Sequence, residues 1–89
     1  MKAVVTVIGK DKVGIIAKTS AECAAHGVNI LDITQTVMKE YFSMIMLCDL
    51  GGMETEFRAF SDALSALGVR EGVEIRVMHE DIFNSMHKI

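Results

Sequence analysis

The sequence of 89 residues has no proline, no tryptophan and only two cysteines. Two cysteines are too few for the disulfide framework that holds small secreted domains together. No apolar run approaches the roughly 18 residues that a membrane-spanning helix needs. The N-terminal stretch also lacks the small-residue cleavage pattern of a signal peptide. We therefore expect a cytoplasmic protein with no membrane partner.

Positive charge is also scarce, with nine Lys and Arg against twelve Asp and Glu and a net charge of −3. Direct nucleic-acid binding is not expected, since such proteins usually present a basic face. Hydrophobic residues make up 51% of the chain, which excludes disorder. A chain this short buries only roughly 60–65% of its unfolded surface and needs a dense core or a partner. We predict one domain over 1–89, with a core at 3–79 and a tail at 80–89.

The residue pattern predicts the element order β-α-β-β-α-β followed by a tail. β-branched and alternating segments indicate strands, and apolar residues spaced three and four apart indicate helices. The predicted strands are 3–8, 29–38, 41–48 and 73–77. The predicted helices are 11–26 and 53–67, the second ending at Gly68, and a short helix is possible in 80–89. This order is typical of an α+β, ferredoxin-like sandwich with two helices on one face. Right-handed crossovers then give an antiparallel sheet of order 4-1-3-2.

The first helix is predicted to bury a stripe of mostly small side chains: Val13, Ile16, Ala17, Ser20, Ala21 and Ala24. The third strand, in contrast, is apolar on both sides. Phe42, Met44, Met46 and Cys48 point one way, and Ile45 and Leu47 the other. Helices cover only one face of such a sheet, so an apolar patch remains on the opposite face. Either a second chain covers it, or the C-terminal tail or the loops of the same chain do.

The first loop, 9–16, is the best candidate for binding chemistry. Gly14 falls in the first turn of a helix, where glycine costs about 0.5–1 kcal/mol relative to alanine. Free N–H groups at a helix start favour a carboxylate or a phosphate. Asp11 would repel a phosphate but could meet an ammonium group, so an α-amino acid suits the loop. The alternative is that Asp11 only caps the helix and Gly14 only permits close packing.

Other chemistry is weakly represented. Cys23 and His26 form one short-spaced pair, whereas a structural zinc site usually needs four ligands. We predict no metal site and no cofactor, and we expect Cys23 and Cys48 to be buried thiols. No set of nucleophile, base and acid is evident, so we predict that the protein is not an enzyme.

Two segments, Asp11–Ala17 (DKVGIIA) and Gly27–Ile33 (GVNILDI), resemble the ACT domain, a small regulatory module. The loop usually carries a proline where this chain has Val13. This variant is similar to the ACT modules of the glycine-cleavage-system transcriptional repressor family and to stand-alone ACT proteins.

The resemblance implies a homodimer that binds an amino acid where the first loop of one chain meets the second strand of another. By position, the ligand-binding residues would be Asp11, Val13, Gly14 and Asn29. Gly14 would admit the ligand and offer N–H groups, Asp11 would take the ammonium, and Asn29 would hydrogen-bond either end. The alternative function is a protein-interaction module without a small ligand, which docks a regulatory protein on the apolar sheet face.

Overall fold

The computed structural model describes residues 1–10 and 13–86. The predicted element order is confirmed. In chain order, the elements are β1 (Lys2–Lys10), α1 (Ile15–Ala25), β2 (Asn29–Met38), β3 (Tyr41–Asp49), α2 (Phe57–Glu71), β4 (Glu74–His79) and α3 (Glu80–Met86).

The four strands form one antiparallel sheet in the order β2-β3-β1-β4, which is the predicted order. The long apolar strands β1 and β3 lie at its centre, and the more polar β2 and β4 form its edges. α1 and α2 pack on one face over Phe42, Met44, Met46 and Cys48 of β3. Within the part of the chain that the structure describes, no helix is long and apolar enough to cross a membrane.

The buried stripe of α1 differs from the predicted one. The helix begins at Ile15 and buries Ile15, Thr19 and Cys23, whereas Ile16 and Ala17 are exposed. Thr19 tolerates full burial because its hydroxyl donates a 2.7 Å hydrogen bond to the carbonyl of Ile15, one turn earlier. Thr19 therefore occupies a core position, although a polar residue is not expected there from the sequence.

Helix α2 continues past Gly68, where the sequence predicted its end. It ends at Glu71, and Gly72 follows with φ 73°, the left-handed conformation typical of a helix C-terminus. Gly68 is instead required by packing, because a Cβ there would lie 2.7 Å from the carbonyl oxygen of Val73. The missing side chain lets the chain turn back against α2 before β4.

The face of the sheet opposite α1 and α2 is partly covered by α3. Phe83 of this helix shares a cleft of about 240 Å³ with Thr6 and Met78. Ile8 and Ile45, on the same face, stay 57% and 44% exposed. The tail thus covers part of the apolar patch within one chain and leaves the rest open; residues 87–89 of the tail lie outside the described residues.

Candidate functional site

Gly14 occupies the N-cap position of α1 with φ +85°, in the left-handed region that favours glycine. A Cβ added at Gly14 would have no atom of the described residues within 4 Å. Close helix packing, the alternative role expected from the sequence, therefore does not explain why residue 14 is a glycine. The backbone conformation of the turn into α1 is the reason.

A cleft of about 520 Å³ opens beside this turn. Its lining comes from the start of α1, the far end of β2 and the start of β3: Gly14, Ile15, Ile16, Ala17, Gln35, Val37 and Phe42. Antiparallel pairing explains why these elements meet, because Val37 pairs with Phe42 across the β2–β3 hairpin. Since α1 runs antiparallel to β1, its first turn lies at the end of the sheet where that hairpin closes.

The cleft combines backbone donors with apolar walls. The first hydrogen bond of α1 joins the Lys18 N–H to the Gly14 carbonyl at 2.9 Å, so the first-turn N–H groups precede the helical ladder. The helix dipole adds partial positive charge at this end, which favours a carboxylate. No described lining residue is charged, and Gln35 contributes the only side-chain amide. The volume lies in the range typical of small-molecule sites.

The residues predicted for the ligand site lie in different places. Gly14 lines the cleft, Val13 is fully exposed beside it, and Asp11 lies outside the described residues. Asn29 is exposed at the start of β2, eight residues before Val37. At about 3.3 Å per residue, Asn29 and Val37 lie about 26 Å apart along the strand. One chain therefore does not bring Gly14 and Asn29 together.

Sequence reasoning missed Gln35 and Val37 as cleft residues. The sequence did contain a signal for them, namely the short connection between the second and third strands. This connection determines which end of β2 lies beside the start of α1. A hairpin at residues 39–40 places the last residues of β2 beside the first residues of β3. That geometry favours Gln35 and Val37 over Asn29 within one chain.

Cys23 and His26 do not form a joint site. The His26 ring packs edge-on to Phe60, and its Nδ1 lies 3.0 Å from the carbonyl oxygen of Glu22. Cys23 and Cys48 are both free and completely buried, as predicted. Among residues 1–10 and 13–86, no three His, Cys, Asp or Glu side chains come together to hold a metal ion.

The fold is that of a family of small regulatory modules. The family model for the ACT domain matches residues 2–78. The chain therefore belongs to the ACT domain family, whose members are typically regulatory and bind amino acids.

Individual relatives support this assignment. A UPF0237 protein of Clostridium acetobutylicum is 52% identical over the full length of both chains. A solved ACT domain protein from Streptococcus pneumoniae is 40% identical, with a TM-score of 0.80 over 93% of each chain. A structure described as a putative glycine cleavage system transcriptional repressor shares the fold, with a TM-score of 0.75 and 22% identity. That match covers 86% of this chain and 44% of the other.

Proposed function

We propose that this protein is a non-enzymatic regulatory module that binds a small amino acid in the cleft beside Gly14. The cleft is the observation that carries the proposal, because it sets first-turn N–H groups opposite apolar side chains. The N–H groups would receive the ligand carboxylate. Val37 and Phe42 would contact an aliphatic or small side chain, and Gln35 would hydrogen-bond a polar end. We place the protein in the cytoplasm, where buried thiols stay reduced.

We further propose that the functional unit is a homodimer formed through β2. This ten-residue edge strand is exposed along almost its whole length, and its only charged residue is Asp32. Natural edge strands are usually protected by charge, by proline or by a covering element. Here Ile33 and Val37, on the helix side of the sheet, stay 39% and 55% exposed. A second copy of β2 would satisfy the open backbone groups and cover both side chains.

Antiparallel pairing of two β2 strands gives Asn29 a role. The start of one strand would then lie beside the end of the other, because antiparallel strands run in opposite directions. Asn29 of the second copy would approach Val37 and Gly14 of the first. The site expected from the resemblance would be complete only in the dimer, with the cleft from one chain and the amide from the other.

A ligand screen tests amino-acid binding. A ligand that binds only the folded state adds RT ln(1 + [L]/Kd) to stability, or about 2.7 kcal/mol at one hundred times Kd. We expect at least one of the twenty amino acids, at millimolar concentration, to raise the melting temperature of the wild type. Val37→Ser should weaken that shift. The matched control Val69→Ser changes an 84% exposed valine on α2 and should keep it. No shift with any amino acid would refute this function.

Sedimentation velocity tests the dimer independently. We expect a dimer for the wild type and a folded monomer for Ile33→Lys, because the charge would lie in the paired edge. Asn29→Ala should keep the dimer and lose the ligand response. A wild type that stays monomeric at high protein concentration would contradict the β2 pairing.

A protein-interaction module without a small ligand is a second candidate, favoured by the exposed apolar surface around Ile8 and Ile45. This surface lies on the opposite side of the sheet from the cleft. If Ile45→Glu abolishes self-association while Ile33→Lys does not, the open face is the contact surface. The converse result supports pairing through β2.

A further inference from the structure

The face of the sheet opposite α1 and α2 is covered at one end and open at the other. Along β1, the side chains on this face become steadily more exposed: Val4 is buried, Thr6 is half-buried and Ile8 is 57% exposed. α3 covers the end near Val4, because it follows His79, the residue of β4 that pairs with Ala3. The open end, nearer the β2–β3 hairpin, carries four large exposed side chains: Ile8, Met38, Tyr41 and Ile45.

α3 itself has an apolar side that its own chain does not bury. Phe83 lines the cleft on the sheet, but Ile82 and Met86, one helical turn apart, are 52% and 64% exposed. None of the seven residues of α3 is buried. The helix is also much shorter than the roughly 12–15 residues that an isolated helix needs in water. A contact that covers Ile82 and Met86 would therefore stabilise α3.

The open end of the sheet and α3 fit each other in length and in charge. From Thr6 to Lys10 the open end is about 13 Å long, and α3 is about 10 Å long. Lys10 is exposed at the end of β1, and Asp81 is exposed on α3. Opposite charges beside two apolar surfaces favour one orientation of contact between them. Within one chain α3 follows β4 without a loop, so it stays at the covered end.

We propose that a second copy of this chain covers the open end, and that α3 of each copy packs on the sheet of the other. A two-fold axis between the sheets, perpendicular to the strands, would lay the covered end of each sheet over the open end of its copy. α3 would then pack Phe83 on its own sheet and Ile82 with Met86 on the other. Asp81 of one copy would approach Lys10 of the other. The contact is self-complementary, because each copy supplies both surfaces.

The size of this face predicts a weak contact. Nine-residue strands are about 30 Å long, and four strands spaced about 4.8 Å apart form a sheet about 19 Å wide. Two such faces would bury about 1,100 Å² in total, slightly less than the roughly 1,200–2,000 Å² of stable specific interfaces. We therefore expect the contact at high protein concentration. It does not involve β2, so two dimers paired through β2 would associate through it into a tetramer.

Sedimentation equilibrium from micromolar to millimolar protein concentration tests the contact. We expect the wild type to change from dimer to tetramer over this range. Ile33→Lys, which removes the β2 pairing, should change from monomer to dimer, so this variant tests the open face whether or not β2 pairs. Met86→Glu, at an exposed position, should stay folded and lose the association in both proteins. An Ile33→Lys protein that stays monomeric at millimolar concentration would overturn the proposal, as would an association that Met86→Glu leaves unchanged.

A charge exchange tests the two-fold arrangement. Lys10→Glu and Asp81→Lys would each place like charges together across the contact, so each should raise the midpoint concentration of the association about tenfold or more. The double variant should return it to the wild-type value. Arg58→Glu makes the same change of charge as Lys10→Glu at a 90% exposed side chain of α2, on the other face of the sheet, and should have no effect. A double variant that associates no better than the single ones would overturn the arrangement.

Discussion

Replacement of Gly14 by alanine tests the geometry of the turn that opens the cleft. Gly14 has φ +85°, and the left-handed conformation costs an L-residue about 1–2 kcal/mol. The added Cβ would meet no described atom within 4 Å, so no packing cost adds to this strain. For a domain of this size we expect the melting temperature to fall by about 5–15 °C.

Gly72 provides a matched control for backbone strain. It has φ 73° at the C-terminal end of α2 and does not line the cleft. Gly72→Ala should therefore lose a similar free energy of unfolding. Only Gly14→Ala should also weaken binding of the amino acid found in the screen, because it displaces the first-turn N–H groups. Urea unfolding gives the stability of each variant, and isothermal titration calorimetry gives the affinity.

Two results would refute this reasoning. If Gly14→Ala unfolds at the same urea concentration as the wild type, the turn does not hold Gly14 in the left-handed conformation. If both variants lose stability and both keep full affinity, the first turn of α1 is not the ligand site. In that case the cleft would have to be abandoned as the site, whatever the ligand screen showed.

Two further substitutions test the packing around α2. Gly68→Ala would gain about 1 kcal/mol from helix propensity. We instead expect the free energy of unfolding in urea to fall by about 1–3 kcal/mol, because the new Cβ would lie 2.7 Å from the Val73 carbonyl oxygen. A net gain in stability would contradict this contact. Lys18→Ala removes the 2.8 Å ion pair with Glu71 between α1 and α2. Since Lys18 is half exposed, we expect a loss below about 1 kcal/mol, and a loss of several kcal/mol would show a larger role for the pair.

The fold could be predicted because several sequence signals agree. Segments with period-two and with three-and-four spacing alternate in an order that few topologies allow. Right-handed crossovers predict the strand order, and the polar character of β2 and β4 and the apolar runs of β1 and β3 agree with it. Helix boundaries depend on tertiary contacts that the sequence does not show. Gly68 resembles a helix end in sequence, and only the approach of Val73 shows that it lies inside α2.

The residues that line the cleft could be predicted only in part. Gly14 stands out because the sequence pattern places it inside the first turn of a helix, where glycine is unfavourable. The structure corrects that placement, because Gly14 is the N-cap and its left-handed conformation favours glycine. Gln35 and Val37 depend on the β2–β3 register, and that register is set by tertiary pairing. The orientation of α1 was wrong because two neighbouring stripes fit the same spacing. The stripe through Thr19 is less apolar in sequence than the predicted one. It can still be buried, because the Thr19 hydroxyl donates its hydrogen bond to a carbonyl within the helix.

The error in α1 and the exposure of β2 point to the same surface. Ile16, which the sequence places in the core, is 37% exposed on the side of α1 that lines the cleft. Ile33 and Val37 of β2 are exposed on the same face of the sheet. These three apolar side chains follow the sequence spacing expected of buried residues, but a single chain leaves them exposed. Antiparallel pairing of two β2 strands would cover them and would bring Asn29 of one copy to the cleft of the other. The proposed amino-acid site and the proposed dimer should therefore depend on each other, so that ligand strengthens the dimer and dilution weakens ligand binding.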